Sequence, residues 1–322
     1  HIWKPEIDPT SAANLLEYKY TNSGTYHVMP IALGATAKVD IGPTGTATAN
    51  TLKTYGLLYQ WGRKDPLGRP GALAANTFAT TYAGATGTTA FNLTSINIKD
   101  SSLLGSNDAK DKDGGDLDDF MIDYVTKHPT HIIIVDNAAY ENDWAGKNNP
   151  YLWGNPTGYD YPRNSTLQRT IFEPCPKGYR VAPRDLWIAF TTTGSNITQS
   201  LKVDDPSTWA ENMYNVLNVN TSTHKMTGDV QRGHFFCYEV DENNFKKWRE
   251  GASDFYPAIG YLNRNTGGIT AVGLIGYYWC SSPNAAGAQT SGNVYSSTTS
   301  YVYPINNGGR ASGAAIRCVR EH

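Results

Sequence analysis

No run of basic residues occurs in this sequence, and its 27 Lys and Arg are balanced by 29 Asp and Glu, for a formal charge of -2. Nucleic acid and anionic membrane surfaces, which are held by clustered positive charge, therefore have no electrostatic footing here. Long apolar runs are missing too, and nothing approaches the roughly eighteen residues that a membrane-spanning helix needs. Cysteine is scarce, at four, and no two cysteines stand in Cys-x-x-Cys spacing, which removes zinc ribbons and thioredoxin-like motifs. There is no Gly-x-Ser-x-Gly elbow and no cysteine in an electropositive setting, so no nucleophile with its base and oxyanion hole can be assembled. No internal repeat is visible. No signal peptide opens the chain, and His1-Ile-Trp-Lys-Pro5 reads as a cut inside a longer precursor, so targeting rests on composition.

What is present is aromatic and polar. The 322 residues include 21 Tyr, 8 Trp and 31 Gly, with abundant Thr, Ser and Asn, and only 17% are charged. Such usage favours short strands and ordered polar loops over helices. With 39% hydrophobic residues, the chain can bury a substantial core as one large domain. Secreted bacterial surface proteins share this composition.

Residues 1–22, with Pro5, Pro9 and a helix-compatible stretch Ser11-Ala-Ala-Asn-Leu-Leu-Glu17, read as a linker or N-terminal arm, and 23–322 as the domain. Tyr26-His-Val-Met-Pro-Ile-Ala-Leu33 reads as the first strand, with Pro30 placing it at an edge or bulge. Tyr55 to Pro66 packs aromatics beside charges, and 70–115 reads as a long decorated loop. Apolar residues at 117, 120, 121, 124 and 125 predict a helix over Leu117–Thr126. His131-Ile-Ile-Ile-Val135 predicts a short buried strand, and 141–170 an irregular aromatic excursion. A helix is expected from Pro183 and another over Ser207–Leu217, where Trp209, Met213 and Val216 share a side. From Gly233 onward strands and turns are expected. The fold class is α+β.

The cysteines are Cys175, Cys237, Cys280 and Cys318. Two disulfides in an oxidising compartment is the economical reading. The alternative is that Cys237 and Cys280 are small buried side chains within strands. A cysteine leading into one strand (Cys175) and one inside the final strand (Cys318) suggest a covalent clasp between distant parts of the domain.

Four segments, in order, resemble the Fibrobacter succinogenes major paralogous domain family, found in Bacteroidetes surface and fimbrial proteins. They are Leu58-Tyr-Gln-Trp-Gly-Arg-Lys-Asp-Pro66; Leu152-Trp-Gly154 leading to Pro174-Cys-Pro-Lys-Gly-Tyr-Arg-Val181; Phe255-Tyr-Pro-Ala-Ile-Gly-Tyr261; and Gly276-Tyr-Tyr-Trp-Cys-Ser-Ser282 through Ile316-Arg-Cys-Val-Arg320. The resemblance implies a C-type-lectin-like fold: a small twisted antiparallel sheet, two or three helices, long irregular loop insertions and paired chain ends. It also implies a Cys175–Cys318 disulfide. Cys280 departs from the serine that the family often has after this tryptophan, so a Cys237–Cys280 bridge does not follow from it. Fold alone does not give function.

Candidate sites follow from chemistry. Trp144, Tyr159, Tyr295 and Tyr301, with Asn284 and Asn306, lie in stretches where flat rings neighbour amides, the combination that sugar and protein ligands use. Against this, such rings also pin loops to a core, which is the structural role expected of Trp153 and Trp279. In the acidic run 107–119, Asp111, Asp113 and Asp116 could gather oxygens around calcium, but Ala109 occupies the first-ligand position of an EF-hand loop. The plainer reading of that run is a solvated loop with Asp116 capping the following helix. A calcium-dependent sugar site has only Ser282-Pro-Asn284 in its favour. His128-Pro-Thr-His131 brackets a proline turn. The expected function is a non-enzymatic extracellular domain of a bacterial surface or fimbria, binding a glycan or a host or partner protein. It needs no cofactor, with calcium the one possible exception. The alternatives are a structural fimbrial subunit that binds only its neighbours and, further off, an oxidase of the formylglycine-generating type using Cys237 and Cys280.

Overall fold

The fold is taken from a computed structural model that describes residues 8–12, 15–20, 24–37, 40–41, 47–48, 51–71, 76–79, 93–98, 117–135, 143–145, 152–153, 169–183, 185–188, 201–202, 213–218, 226–227, 233–238, 253–283, 291–297 and 301–321. The strands in chain order are β1 (Leu16–Tyr20), β2 (Gly24–Val28), β3 (Asp40–Ile41), β4 (Ala47–Thr48), β5 (Tyr59–Gln60), β6 (Thr94–Asn97), β7 (His131–Ile134), β8 (Tyr179–Val181), β9 (Leu201–Lys202), β10 (Met213–Asn218), β11 (Met226–Thr227), β12 (Gly233–Tyr238), β13 (Ser253–Pro257), β14 (Tyr261–Leu262), β15 (Ile269–Thr270), β16 (Gly276–Pro283), β17 (Ser291–Ser297), β18 (Tyr301–Gly309), β19 (Gly313–Ile316) and β20 (Cys318–Arg320). Two α-helices, α1 (Leu117–Lys127) and α2 (Asp185–Ile188), complete the described elements with a 3-10 turn at Thr51–Thr54. The protein is mixed, with mostly antiparallel strands and few helices, in keeping with the α+β class.

Two sheets carry the core. One runs β1-β2-β20-β8; the other runs β15-β14-β19-β16-β17-β18-β9 with β5 added on β19. The chain ends meet in the first, where Val28 pairs with Val319 and the Met29 amide donates to the Cys318 carbonyl at 2.9 Å. Parallel pairing occurs where β16 meets β19, where β6 meets β7 and where β4 meets β11.

The apolar pattern of these strands explains the layering. Successive side chains of a strand point to opposite faces. Tyr278 and Cys280 of β16 enter one apolar cluster and Trp279 the other; so do Ala315 against Ala314 and Ile316, Val319 against Cys318, and Ile132 against Ile133. A strand buried on both faces needs continuous rather than alternating hydrophobicity, which is what Tyr277–Cys280, Ile132–Val135 and Ala314–Ile316 have. Met121 and Val125, on one face of α1, enter the second cluster.

The clasp is present. Cys175 and Cys318 form a disulfide with Cα atoms 6.0 Å apart, 143 residues apart in sequence. It ties the segment before β8 to β20, whose pairing with β8 places Cys318 opposite Val181.

Several expectations are corrected. Cys280 carries a buried thiol rather than half of a disulfide. It sits in β16, between β17 and β19, and Cys237 lies in a separate sheet, β10-β12-β13, opposite Tyr214 and Ser253; with Cys280 a thiol, the predicted Cys237–Cys280 bridge does not form. The helix over Ser207–Leu217 is replaced from Met213 onward by β10, because pairing with β12 satisfies the backbone that a short isolated helix would hold only marginally. The same competition decides Leu16 and Glu17, which pair with Val28 and His27 in a hairpin instead of extending a helix, so part of the predicted arm joins the sheet. Within 70–115, Thr94–Asn97 forms β6 beside β7. The helix from Leu117, the strand from His131 and the helix after Pro183 stand, the last described over Asp185–Ile188.

Candidate functional site

The segment Leu58–Leu67 organises a cleft among the described residues. Leu58 and Leu67 close a turn on each other through backbone bonds, the Leu67 amide donating to the Leu58 carbonyl at 2.7 Å. Gly62 supplies the positive φ of 85° that the turn requires. Trp61 within this turn and three tryptophans from elsewhere in the chain pack here, and each buried indole N–H finds a carbonyl. Trp61 donates to Cys280 at 2.9 Å, Trp279 to Tyr59 at 2.7 Å, Trp144 to Trp61 at 2.7 Å and Trp153 to Arg63 at 3.3 Å. Unpaired, each would cost about 1–3 kcal/mol. Trp153 and Trp279 thus hold the loops to the core, as expected of them.

Two buried polar side chains stitch the turn to its neighbours. Gln60 donates to the carbonyls of Ile133 and Ala311, both at 2.7 Å. Arg63 donates to Gln60 Oε1 at 3.0 Å and to the carbonyls of His131 at 2.7 Å and Pro129 at 3.2 Å, with its guanidinium 5.9 Å from the centre of the Trp144 ring. Burial pushes the Arg63 pKa down to about 10 while the Asp65 charge pulls it up, so Arg63 stays cationic at neutral pH. Arg63 therefore clamps the His128–His131 turn. In that turn the Tyr124 hydroxyl lies 2.8 Å from His131 Nδ1 and the rings of His128 and His131 stack at 4.8 Å. Burial, then His128 and Arg63, push the His131 pKa down.

The cleft opens between this turn, the outer side of α1 and the turn at 171–172. It has a volume of about 470 Å³ and is lined by Gly62, Arg63, Lys64, Asp65, Ile122, Asp123, Val125, Thr126, Trp144, Ile171 and Phe172. A space of this size with mixed lining suits a small group or one segment of a larger ligand.

The predicted ligand residues do not converge on it. Trp144 is at the cleft but only 1% exposed, so its ring is floor rather than open platform. Asn306 is half-buried on β18, opposite Val294, and its side-chain oxygen accepts the Asn307 amide at 2.8 Å. Tyr295 lies on β17 opposite Tyr278, and Tyr301 on β18 opposite Lys202. Tyr159, Asn284, Asp111, Asp113 and Asp116 lie outside the described residues. Among the described residues no group of three or more His, Cys, Asp and Glu is placed to hold a metal ion.

Sequence reasoning noticed the aromatic–charge density of Tyr55–Pro66 but missed Ile171, Phe172 and Asp123 as its companions, because only folding brings α1 and the 171–172 turn to it. No known protein family, curated protein or solved structure matches the chain.

Proposed function

We propose that this chain is a non-enzymatic binding domain of a bacterial surface or fimbria, a member of the major paralogous domain family with a C-type-lectin-like fold, and that it holds a glycan or a protein ligand. The observation that carries the reading is the clasped pairing of the chain ends, Cys175 to Cys318 and β2 to β20, beside a cleft of mixed apolar and charged lining. A disulfide-tied scaffold presenting a concave surface is what a domain working outside the cell needs.

The test is a glycan-array and extracellular-matrix binding screen on the purified chain, run with calcium and with chelator. Calcium-independent hits sustain the reading; calcium-dependent hits add a cation at the acidic stretch 107–119. Turnover of a defined substrate, lost on a single substitution but kept after metal removal, would sink it. The second reading is a structural fimbrial subunit, favoured by co-purification with pilus subunits and no ligand in the screen. For the oxidase alternative, Cys280 sealed in an apolar cluster is a poor start, since a reactive thiol needs access.

A further inference from the structure

Ile171 stands at the edge of the cleft with 77% of its surface exposed, and among the described residues only Leu274 is a comparably exposed large hydrophobic side chain. Exposed apolar groups clustered at a concavity mark contact surfaces more often than single scattered ones do. Here Ile171 is joined by half-buried Phe172 and Ile122 along the same cleft.

We propose that this cleft binds a short peptide segment presenting a bulky apolar side chain next to a carboxylate. The inference rests on the reading of the chain as a surface binding domain and narrows its ligand to one class.

Charge selects the anion. The cleft carries Arg63 and Lys64 against Asp65 and Asp123. Asp123 is already matched by Lys127 at 2.6 Å, four residues along α1. Arg63 spends its hydrogen bonds on Gln60 and on backbone carbonyls, and the Asp65 charge acts on it. Lys64 is exposed and has no ion-pair partner among the described residues. One cation at the rim is thus left for an incoming carboxylate.

The walls select the apolar group and argue against a sugar. Ile122, Val125, Phe172 and Ile171 offer area without hydrogen bonds, and the Thr126 hydroxyl already donates to the Ile122 carbonyl at 2.7 Å. A sugar would give up water at several hydroxyls with few directed partners in return, which costs affinity. A leucine or phenylalanine side chain loses nothing of that kind and gains burial. The volume, about 470 Å³, holds one such side chain with its adjoining backbone and carboxylate.

The experiment titrates the full chain calorimetrically with acetyl-Gly-Phe as the free acid, with the same dipeptide as its amide, and with N-acetylneuraminic acid. The free acid should bind about threefold more tightly than the amide. Lys64→Glu should erase that difference, and Ile171→Asp should weaken both peptides about tenfold. Both positions lie at the surface, and circular dichroism verifies that the variants fold. Equal binding of acid and amide, no binding of either, or binding unchanged by Ile171→Asp overturns the proposal. Binding of N-acetylneuraminic acid without the peptides also overturns it, yet leaves the surface-binding reading standing; that reading falls if the wider screen finds no glycan or protein ligand, or if substrate turnover is found. Concentration-dependent dimerisation abolished by Ile171→Asp would give the cleft to a second copy of the chain and overturn it as well.

Discussion

Asp143 and Arg310 meet at 3.1 Å in the interior, with 2% and 1% of their side chains exposed, although 167 residues separate them in sequence. The Arg310 guanidinium also lies 4.4 Å from the centre of the Trp61 ring, so one cation joins the 143–145 turn, the aromatic turn of the cleft and the segment after β18. Burial pushes the Asp143 pKa up to about 6, with Arg310 and the Ala145 amide pulling against it.

Removing Asp143 takes away the buried carboxylate that faces Arg310. Asp143→Ala should lower unfolding stability by about 3–5 kcal/mol, whereas replacing both residues by apolar ones of similar volume should recover much of the loss. Urea unfolding of the single and double variants measures this. A loss below about 1 kcal/mol for Asp143→Ala would place the pair among the weak ones.

Glu173 gives the clasp region a pH dependence. Its Oε1 accepts the amides of Cys175 at 3.0 Å and Val181 at 3.2 Å. Burial raises its pKa from 4.5 to about 7, opposed by those two amides and by Arg169. The folded state therefore holds this proton more tightly than the unfolded one. The resulting stability is fully present below about pH 4.5 and is lost as pH rises through about 7. The gap is worth about 3 kcal/mol. Glu173→Gln keeps an acceptor and should flatten this part of the profile of unfolding midpoint against pH; an unchanged slope would assign it to other groups.

Loss of the clasp should cost about 3–5 kcal/mol in the chain-entropy view, given the 143-residue separation of its cysteines. Unfolding with and without reductant, compared with the Cys175→Ser/Cys318→Ser double variant, measures that figure. Cys280, buried as a thiol, should resist iodoacetamide in the native protein and be alkylated after denaturation without reductant. A Cys237–Cys280 linked peptide in a non-reduced digest would contradict this.

Gly62 and Gly178 form a matched pair. Both adopt positive φ, 85° and 82°, but a Cβ on Gly62 would come within 2.5 Å of Leu152 whereas one on Gly178 would meet nothing within 4 Å. Gly178→Ala should cost about 1 kcal/mol, the backbone penalty alone. Gly62→Ala should cost more, by a further 1–3 kcal/mol or so for displacing Leu152. Equal thermal shifts would mean that Leu152 moves aside freely.

Much of this architecture was legible because its signals are local. The 3.6-residue spacing of Leu117–Thr126, the apolar run from His131 and the aromatic strand from Gly276 each specify an element within their own span. Leu16, Glu17 and Met213 were misread because helix and strand compete within about a kcal/mol per residue, and a distant partner strand settles the contest. Cys280 was ambiguous for a related reason: cysteine count is even in either case, and only the distance and direction between two cysteines in the folded chain decide whether their sulfurs can meet.

What the sequence determined by itself is the α+β class, the short buried strand from His131 and the presence of cysteines able to tie the last strand to the middle of the chain. These follow from residue type and period, which act over a few positions. The tertiary structure alone decided that Trp144 is a floor rather than a platform, that Arg63 clamps the His128–His131 turn, and that Ile171 faces the same hollow as Lys64 and α1. Those relationships join residues far apart in the chain, such as Arg63 with Pro129 and His131, 66 and 68 positions on, in loops with no period of their own, so they arise only when the packed core fixes where each loop begins and ends.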